Sequence, residues 1–199
     1  MPPGPTLGML LAEGTAALAA AGVDAAPQQA RLLLAHVVDR RSNDLLLHRQ
    51  VEADASAVAA YWQLVALRCE RRPLEYVTGS TEFCGLPLRC DSRALIPRPE
   101  TELLVEAMAA ELAEVDLAED ARVVDVGCGS GAIALALAHL RPGLRLLATD
   151  VSAAALALTR ENVASLGLGG RVEVALGAYL EPVFALGLAE RVVAVVSNP

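Results

Sequence analysis

The sequence predicts an α/β fold in which a small helical domain is followed by a hairpin linker and a parallel sheet. Three observations support this prediction. Apolar residues recur at helical spacing over 1–72, strand and turn residues dominate 73–99, and short β-branched runs alternate with helical segments over 100–199. We therefore predict three regions with these boundaries.

The first region is expected to be a bundle of helices. Leucines recur at helical spacing from Leu7 to Leu18, and Gly22 follows as a stop signal. Pro27 can open a second helix, and a last helix is expected over about 53–71. We interpret this bundle as a domain that docks a substrate.

The linker region favours strands and turns. Over 76–95 the residues are typical of short strands, with Gly85 placed to turn a hairpin. Two prolines then hold Ile96 and Arg98 extended, and Pro99 suits the first turn of the next helix.

Composition excludes several function classes. The formal net charge is −8, which argues against a broad basic surface for nucleic acid. All sixteen basic residues are arginines, so Schiff-base chemistry and a P-loop lysine are excluded. The four cysteines lack the paired spacing of zinc sites. Because no basic leader and no long apolar run is present, we expect a cytoplasmic protein that does not contact membrane.

A strand that ends in alternating glycines forms the centre of the third region. The run 122–131 reads Arg-Val-Val-Asp-Val-Gly-Cys-Gly-Ser-Gly and leads into an alanine- and leucine-rich helix. Glycines allow a ligand to approach the backbone closely, and the first turn of a helix offers free N–H groups. The pattern therefore predicts a nucleotide-type binding turn.

Two interpretations of this turn are open from its residues alone. Gly127, Gly129 and Ala132 fit a dinucleotide fingerprint, with Asp150 about 20 residues further on. That interpretation predicts a dehydrogenase. Alternatively, Asp125 begins an Asp-x-Gly-x-Gly-x-Gly run, which resembles motif I of the class I methyltransferases that use S-adenosylmethionine. In that family an acid ending the second strand accepts both ribose hydroxyls, and Asp150 would fill this role.

Three further runs carry a more specific resemblance. They are Arg72-Pro73-Leu74-Glu75-Tyr76-Val77-Thr78-Gly79, Glu82-Phe83-Cys84-Gly85 and Leu95-Ile96-Pro97-Arg98-Pro99-Glu100-Thr101-Glu102. Together they resemble the protein-glutamine methyltransferases that modify bacterial peptide chain release factors. The final Asn198-Pro199 resembles the first half of that family's Asn-Pro-Pro-Tyr motif. The resemblance implies a Rossmann-like class I methyltransferase sheet that is incomplete because the chain is truncated at its C-terminus.

The resemblance also implies roles for individual residues. Cofactor contacts are expected from Asp125, Gly127, Cys128, Gly129, Gly131, Asp150, Ala178, Tyr179 and Asn198. Substrate contacts are expected from Phe83, Arg98, Pro99, Glu100, Thr101, Asn198 and Pro199. Asn198 and Pro199 would be catalytic, because their carbonyl groups could accept hydrogen bonds from the glutamine amide and hold its nitrogen in line with the methyl group. No metal is expected, since the methyl group of a sulfonium is already activated.

Three functional hypotheses follow. The first is methyl transfer from S-adenosylmethionine to glutamine in release factors, which would be the protein partners. The second is a related amino-methyltransferase that acts on adenine or on another protein. The third is a non-catalytic remnant that binds cofactor. Because the second proline and the tyrosine of the last motif are missing, we expect the chain as written to be inactive or weakly active.

Overall fold

The computed structural model describes residues 4–198, and the chain forms two compact units, Met1–Thr78 and Gly79–Pro199. The helices are α1 (Leu7–Ala20), α2 (Ala26–Val37), α3 (Ala55–Cys69), α4 (Leu74–Thr78), α5 (Glu100–Glu111), α6 (Ala132–Leu140), α7 (Ala153–Ser165) and α8 (Glu181–Ala185). The strands are β1 (Ser80–Phe83), β2 (Leu86–Arg89), β3 (Arg122–Val126), β4 (Arg145–Asp150), β5 (Val172–Leu176) and β6 (Val192–Ser197). The predicted α/β architecture is confirmed.

The first unit is the expected helical bundle. Thr6 caps α1 by accepting a hydrogen bond from Met9 N, and Asp54 caps α3 by accepting one from Ala57 N. Pro27 stands in the first turn of α2, as predicted. One apolar core joins α1, α2 and α3, and its largest fully buried side chains include Leu10, Leu18, Leu33, Leu34, Leu45 and Tyr61.

One local prediction in the linker region is wrong. Residues 76–78, expected as strand and turn, belong to the short helix α4. Val77 is buried in the core of the helical unit. The β propensity of Tyr76 and Val77 is weak compared with the packing that this burial provides.

The hairpin follows in the second unit. Strands β1 and β2 pair antiparallel, and the two residues that connect them, Cys84 and Gly85, both have positive φ, at 48° and 73°. This is the backbone of the tight two-residue turns that favour glycine, so the predicted turn at Gly85 is confirmed. The side chain of Glu102 on α5 accepts a hydrogen bond from Cys84 N at 2.7 Å, which ties the turn to that helix.

A four-stranded parallel sheet forms the body of the second unit. Its strand order is β5-β4-β3-β6, and helices connect the successive strands. Val123, Val124 and Leu147 are fully buried, which explains the apolar runs in the strands. Helix α6 is buried along seven consecutive residues of its nine. In a sheet of this kind, ligands bind beyond the carboxyl ends of the strands, near the reversal of strand order at β3.

Among residues 4–198, no helix combines the length and the apolar character that crossing a bilayer requires.

Candidate functional site

A pocket of about 550 Å³ lies at the carboxyl ends of β3, β4 and β6. Gly127 follows β3, Asp150 ends β4, and Asn198 follows β6. Three stretches line the pocket, together with Thr101 and Asn198. They are residues 93–98 before α5, residues 127–130 with Ala132 and Ile133 at the glycine turn, and residues 150–152 with Ala155 after β4. The structure therefore brings the glycine turn, the acid of the second parallel strand and the asparagine of the last motif into one cavity.

The glycine turn forms the floor of this pocket. Gly127 and Gly129 have φ of 71° and 56°, in the region that non-glycine residues avoid. A Cβ added at Gly129 would meet only Ala94 Cβ, at 3.8 Å, so the backbone is open on the pocket side. Ala132 and Ile133, in the first turn of α6, also line the cavity, and N–H groups in a first turn have no acceptor within the helix. Such a surface suits the close approach of a polar ligand.

Gly131 has a different role from the other two glycines. Its φ is 83°, and a Cβ there would lie 2.7 Å from Thr159 Cγ2. It is absent from the pocket lining. The third glycine of the motif therefore permits the close packing of the turn against α7, and its predicted contact with cofactor is not supported by its position.

Helix α7 holds the glycine turn from behind. Thr159 Oγ1 donates to Gly129 O at 2.8 Å, and Asn162 Nδ2 donates to Ser130 O at 3.0 Å. The Asn162 amide also pairs with β2: Oδ1 accepts from Arg89 N at 2.7 Å and Nδ2 donates to Arg89 O at 3.2 Å. Both side chains are fully buried. Sequence reasoning missed them because they lie about 30 residues from the turn and belong to no motif.

Asp150 faces the pocket with both carboxylate oxygens fixed. Oδ2 accepts from Gly129 N at 3.0 Å, and Oδ1 accepts from Ser152 N at 2.8 Å. A carboxylate has about four lone-pair sites, so each oxygen can still accept one hydroxyl. The backbone bonds orient the group toward the cavity, as a contact with two adjacent ribose hydroxyls would require.

Asp125 lies behind the turn and does not line the pocket. Its Oδ2 accepts from Ala134 N at 3.1 Å in the first turn of α6, while Oδ1 has no partner within the described chain. Burial raises the pKa of the Asp125 carboxyl to about 7, and the neighbouring charge of Asp150 adds to this effect. Asp125 therefore fastens helix α6 to strand β3, and its side chain lies outside the pocket lining.

Cys128 contributes a buried thiol to the pocket. Burial raises its pKa to about 12, so the thiol is protonated at neutral pH. A thiolate is the nucleophilic form of cysteine, and the surroundings of Cys128 disfavour it. This residue is a compact lining group.

Asn198 is held through its amide nitrogen. Nδ2 donates to Thr101 Oγ1 at 2.7 Å, and the neighbouring Ser197 Oγ donates to Val126 O at 2.9 Å. Thr101 is almost fully buried on the first turn of α5. One of the two amide hydrogens is engaged in this contact, and the carbonyl oxygen can accept a hydrogen bond from a ligand in the pocket.

The segment between the hairpin and α5 forms one wall of the pocket. Arg93 makes two-pronged contacts with two carboxylates: its Nη1 lies 2.6 Å from Glu161 Oε1 and its Nη2 lies 2.7 Å from Asp91 Oδ2. These hydrogen bonds lower the pKa of both the Asp91 and the Glu161 carboxyl. Arg93 thereby ties the wall to α7, a role that a lone arginine in the sequence does not reveal.

The substrate contacts predicted between the hairpin and the start of α5 differ in whether they reach the pocket. Arg98 and Thr101 line the pocket, whereas Pro99 and Glu100 are exposed at the start of α5 and lie outside its lining. Phe83 is buried in the apolar core under the hairpin, so it is a structural residue here and does not reach the cavity.

The other predicted site residues are Ala178 and Tyr179, which follow β5, and Pro199. Ala178 N donates to Glu181 Oε2 at 3.2 Å, and Tyr179 is 80% exposed with φ of 50°. Neither lines the pocket. Pro199, predicted to be catalytic, lies outside the described residues.

Comparison with known proteins gives two family matches. Residues 9–79 match the PrmC N-terminal domain, and residues 99–199 match the methyltransferase small domain. The second match covers half of the chain. The chain belongs to the methyltransferase small domain family. This membership favours S-adenosylmethionine as cofactor and removes the support for a dehydrogenase.

Curated relatives agree with the family matches. A release factor glutamine methyltransferase of Moorella thermoacetica is 39% identical over 194 residues, which are 98% of this chain and 66% of that protein. One of Deinococcus radiodurans is 42% identical over 191 residues, which are 96% of this chain and 65% of that protein. The predicted relationship to this group of methyltransferases is confirmed, and the chain spans about two thirds of the length of these two relatives.

Among solved structures, a human methyltransferase 10 domain containing protein is 22% identical, with a TM-score of 0.46. The likeness covers 58% of this chain and 54% of that chain.

Proposed function

We propose that the chain provides the catalytic pocket of an enzyme that transfers a methyl group from S-adenosylmethionine to the side-chain amide nitrogen of glutamine in a peptide chain release factor. The observation that carries this proposal is the position of Asn198. It closes the same pocket as the glycine turn and Asp150, and its amide is oriented by Thr101.

The pocket suits the cofactor in volume and in the polar groups that it presents. Its volume of about 550 Å³ lies within the range of small-molecule sites. The bare backbone at Gly127 and Gly129 would hold the methionine half of the cofactor, and Asp150 would hold the ribose. When bound, the cofactor supplies a methyl carbon that is activated by its positive sulfonium.

Asn198 would act on the substrate amide. A primary amide is a weak nucleophile because its nitrogen lone pair is delocalised into the carbonyl. By accepting a hydrogen bond from the substrate N–H, Asn198 Oδ1 would fix the nitrogen and help to localise that lone pair. Fixed geometry of this kind is worth up to roughly 7–11 kcal/mol of barrier.

The exposure of Asn198 to solvent supports a prediction about the rate of methyl transfer. Asn198 is solvent-exposed in the structure. Positioned dipoles are worth far more in a water-excluded site than in water. We therefore propose that these 199 residues turn over slowly, and that their activity belongs to the cytoplasm, where release factors act.

The direct test is methyl transfer from labelled cofactor to a purified release factor. We expect slow incorporation that disappears when the acceptor glutamine is replaced by alanine. An Asn198→Ala variant should abolish incorporation, and its loss of transfer rate should be larger than its loss of cofactor affinity. Incorporation into DNA, or incorporation that survives loss of the glutamine, would contradict the proposal. If cofactor binds and no transfer is found with any acceptor, the non-catalytic hypothesis is favoured.

A further inference from the structure

A second recess lies at the opposite end of the parallel sheet, where the strands begin. Its volume is about 280 Å³, and its lining includes Arg122, Arg145, Arg171 and Glu173. Strand β3 has five residues, so this end of the sheet is about 16 Å from the glycine turn along the strand. The recess shares no residue with the pocket described above.

The three arginines form one row across neighbouring strands. Arg122 pairs in register with Arg145, and both are the first residues of their strands. Arg171 directly precedes Val172, the register partner of Leu146, and its carbonyl accepts from Leu146 N at 2.8 Å. Arg171 is therefore opposite Arg145. Register partners point to the same face of a sheet, and neighbouring strands are only about 4.8 Å apart.

Two of these side chains are held in place by neutral groups. Arg122 Nη1 donates to Asp120 O at 2.7 Å, and Arg171 Nη1 donates to Pro142 O at 3.1 Å and to Ala138 O. Carbonyl oxygens offset only part of the charge of a guanidinium, and they do so most for Arg171, whose partners lie at the C-terminal end of α6. Across residues 4–198, no carboxylate lies within 4.0 Å of the guanidinium of Arg122, Arg145 or Arg171.

The charges in this recess are therefore unbalanced. Three arginines face one acid, Glu173, although the whole chain has a formal net charge of −8. Like charges at this spacing repel each other, and a bound anion would relieve the repulsion. Planar guanidinium groups match the oxygens of phosphate in paired contacts.

We propose that this row of arginines binds a phosphate or diphosphate group of a small molecule. The size of the recess suits a compact anion. The site is independent of methyl transfer, because it lies at the amino ends of the strands and the catalytic pocket lies at their carboxyl ends.

The test is a titration of the isotopically labelled chain with inorganic pyrophosphate at constant ionic strength, followed by NMR. The amide signals of Gly169 and Gly170, which line the recess, should shift and saturate at millimolar pyrophosphate. Arg145→Gln removes an exposed charge and should weaken binding at least about fivefold. The matched control is Arg160→Gln, an arginine of the same unit outside the recess, which should change binding less than twofold.

Several results would overturn the proposal. They are the absence of a saturable shift, equal weakening by the two variants, and shifts spread over the surface without preference for the recess. Binding of S-adenosylmethionine should be unchanged in Arg145→Gln, so a failure at either site can be told apart from a failure at the other. If a single-stranded oligonucleotide shifts the same glycines more tightly than pyrophosphate does, the ligand is a nucleic-acid phosphate and the small-molecule proposal is wrong.

Discussion

Replacing Asp125 by asparagine tests whether burial raises the pKa of the acid behind the glycine turn. The pKa of Asp125 is about 7 in the folded protein because of burial, against an ordinary value of 3.8. Between these two values the folded state holds a proton that the unfolded state has released. The contribution of this group to stability is therefore present at low pH and is lost as the pH rises toward 7. From pH 5 to pH 8 the loss is about 2–3 kcal/mol in the free energy of unfolding.

Asp125→Asn should remove this dependence, because its amide is neutral at every pH and retains an oxygen for Ala134 N. Urea unfolding at pH 5 and pH 8 measures the difference. Circular dichroism is the appropriate probe, since the single tryptophan, Trp62, lies in the helical unit. An exposed acid in the same unit gives the matched control, Asp116→Asn, which should follow the wild type. If wild type and Asp125→Asn lose equal stability between the two pH values, the burial argument is wrong.

Three further predictions concern the support of the pocket. Gly131→Ala should destabilise the protein by roughly 2–4 kcal/mol, because its Cβ would clash with Thr159 at a positive φ, whereas Gly143→Ala, in open space, should be nearly neutral in thermal unfolding. Asn162→Ala should cost about 2–4 kcal/mol in the same assay, since it leaves buried backbone groups without partners. Thr101→Val should speed hydrogen exchange of the Asn198 side-chain amide in NMR, while Thr101→Ser should keep the wild-type rate. Unchanged exchange in the valine variant would show that the contact does not hold Asn198.

Much of the fold was predictable because local signals and packing agree. Ser152 is the kind of residue that caps a helix, and its hydroxyl accepts from Ala155 N at 3.2 Å at the start of α7. The predicted positions of Gly127 and Asp150 at strand ends are confirmed. At α4 the local signal failed, because the burial of Val77 outweighs its β propensity.

The site was predictable only where a residue type shows its role. Motif resemblance does not report whether a residue lines the pocket or packs behind it, and Phe83 and Gly131, both predicted site residues, lie outside the lining. The interactions of Arg93, Thr159 and Asn162 depend on pairings between distant segments, and no spacing rule reports such pairings. For these residues the tertiary structure was required.

Calorimetric titration with S-adenosylmethionine is the decisive test of the assigned pocket. We expect saturable binding of one molecule per chain, no binding of NAD, and affinity that falls by about 1–3 kcal/mol in Asp150→Ala because a charged hydrogen-bond acceptor is lost. The thermal unfolding of that variant should be recorded beside it, since Asp150 also accepts from Gly129 N and Ser152 N. Binding of NAD in place of S-adenosylmethionine, or equal affinity in a folded Asp150→Ala variant, would contradict the assignment of this pocket.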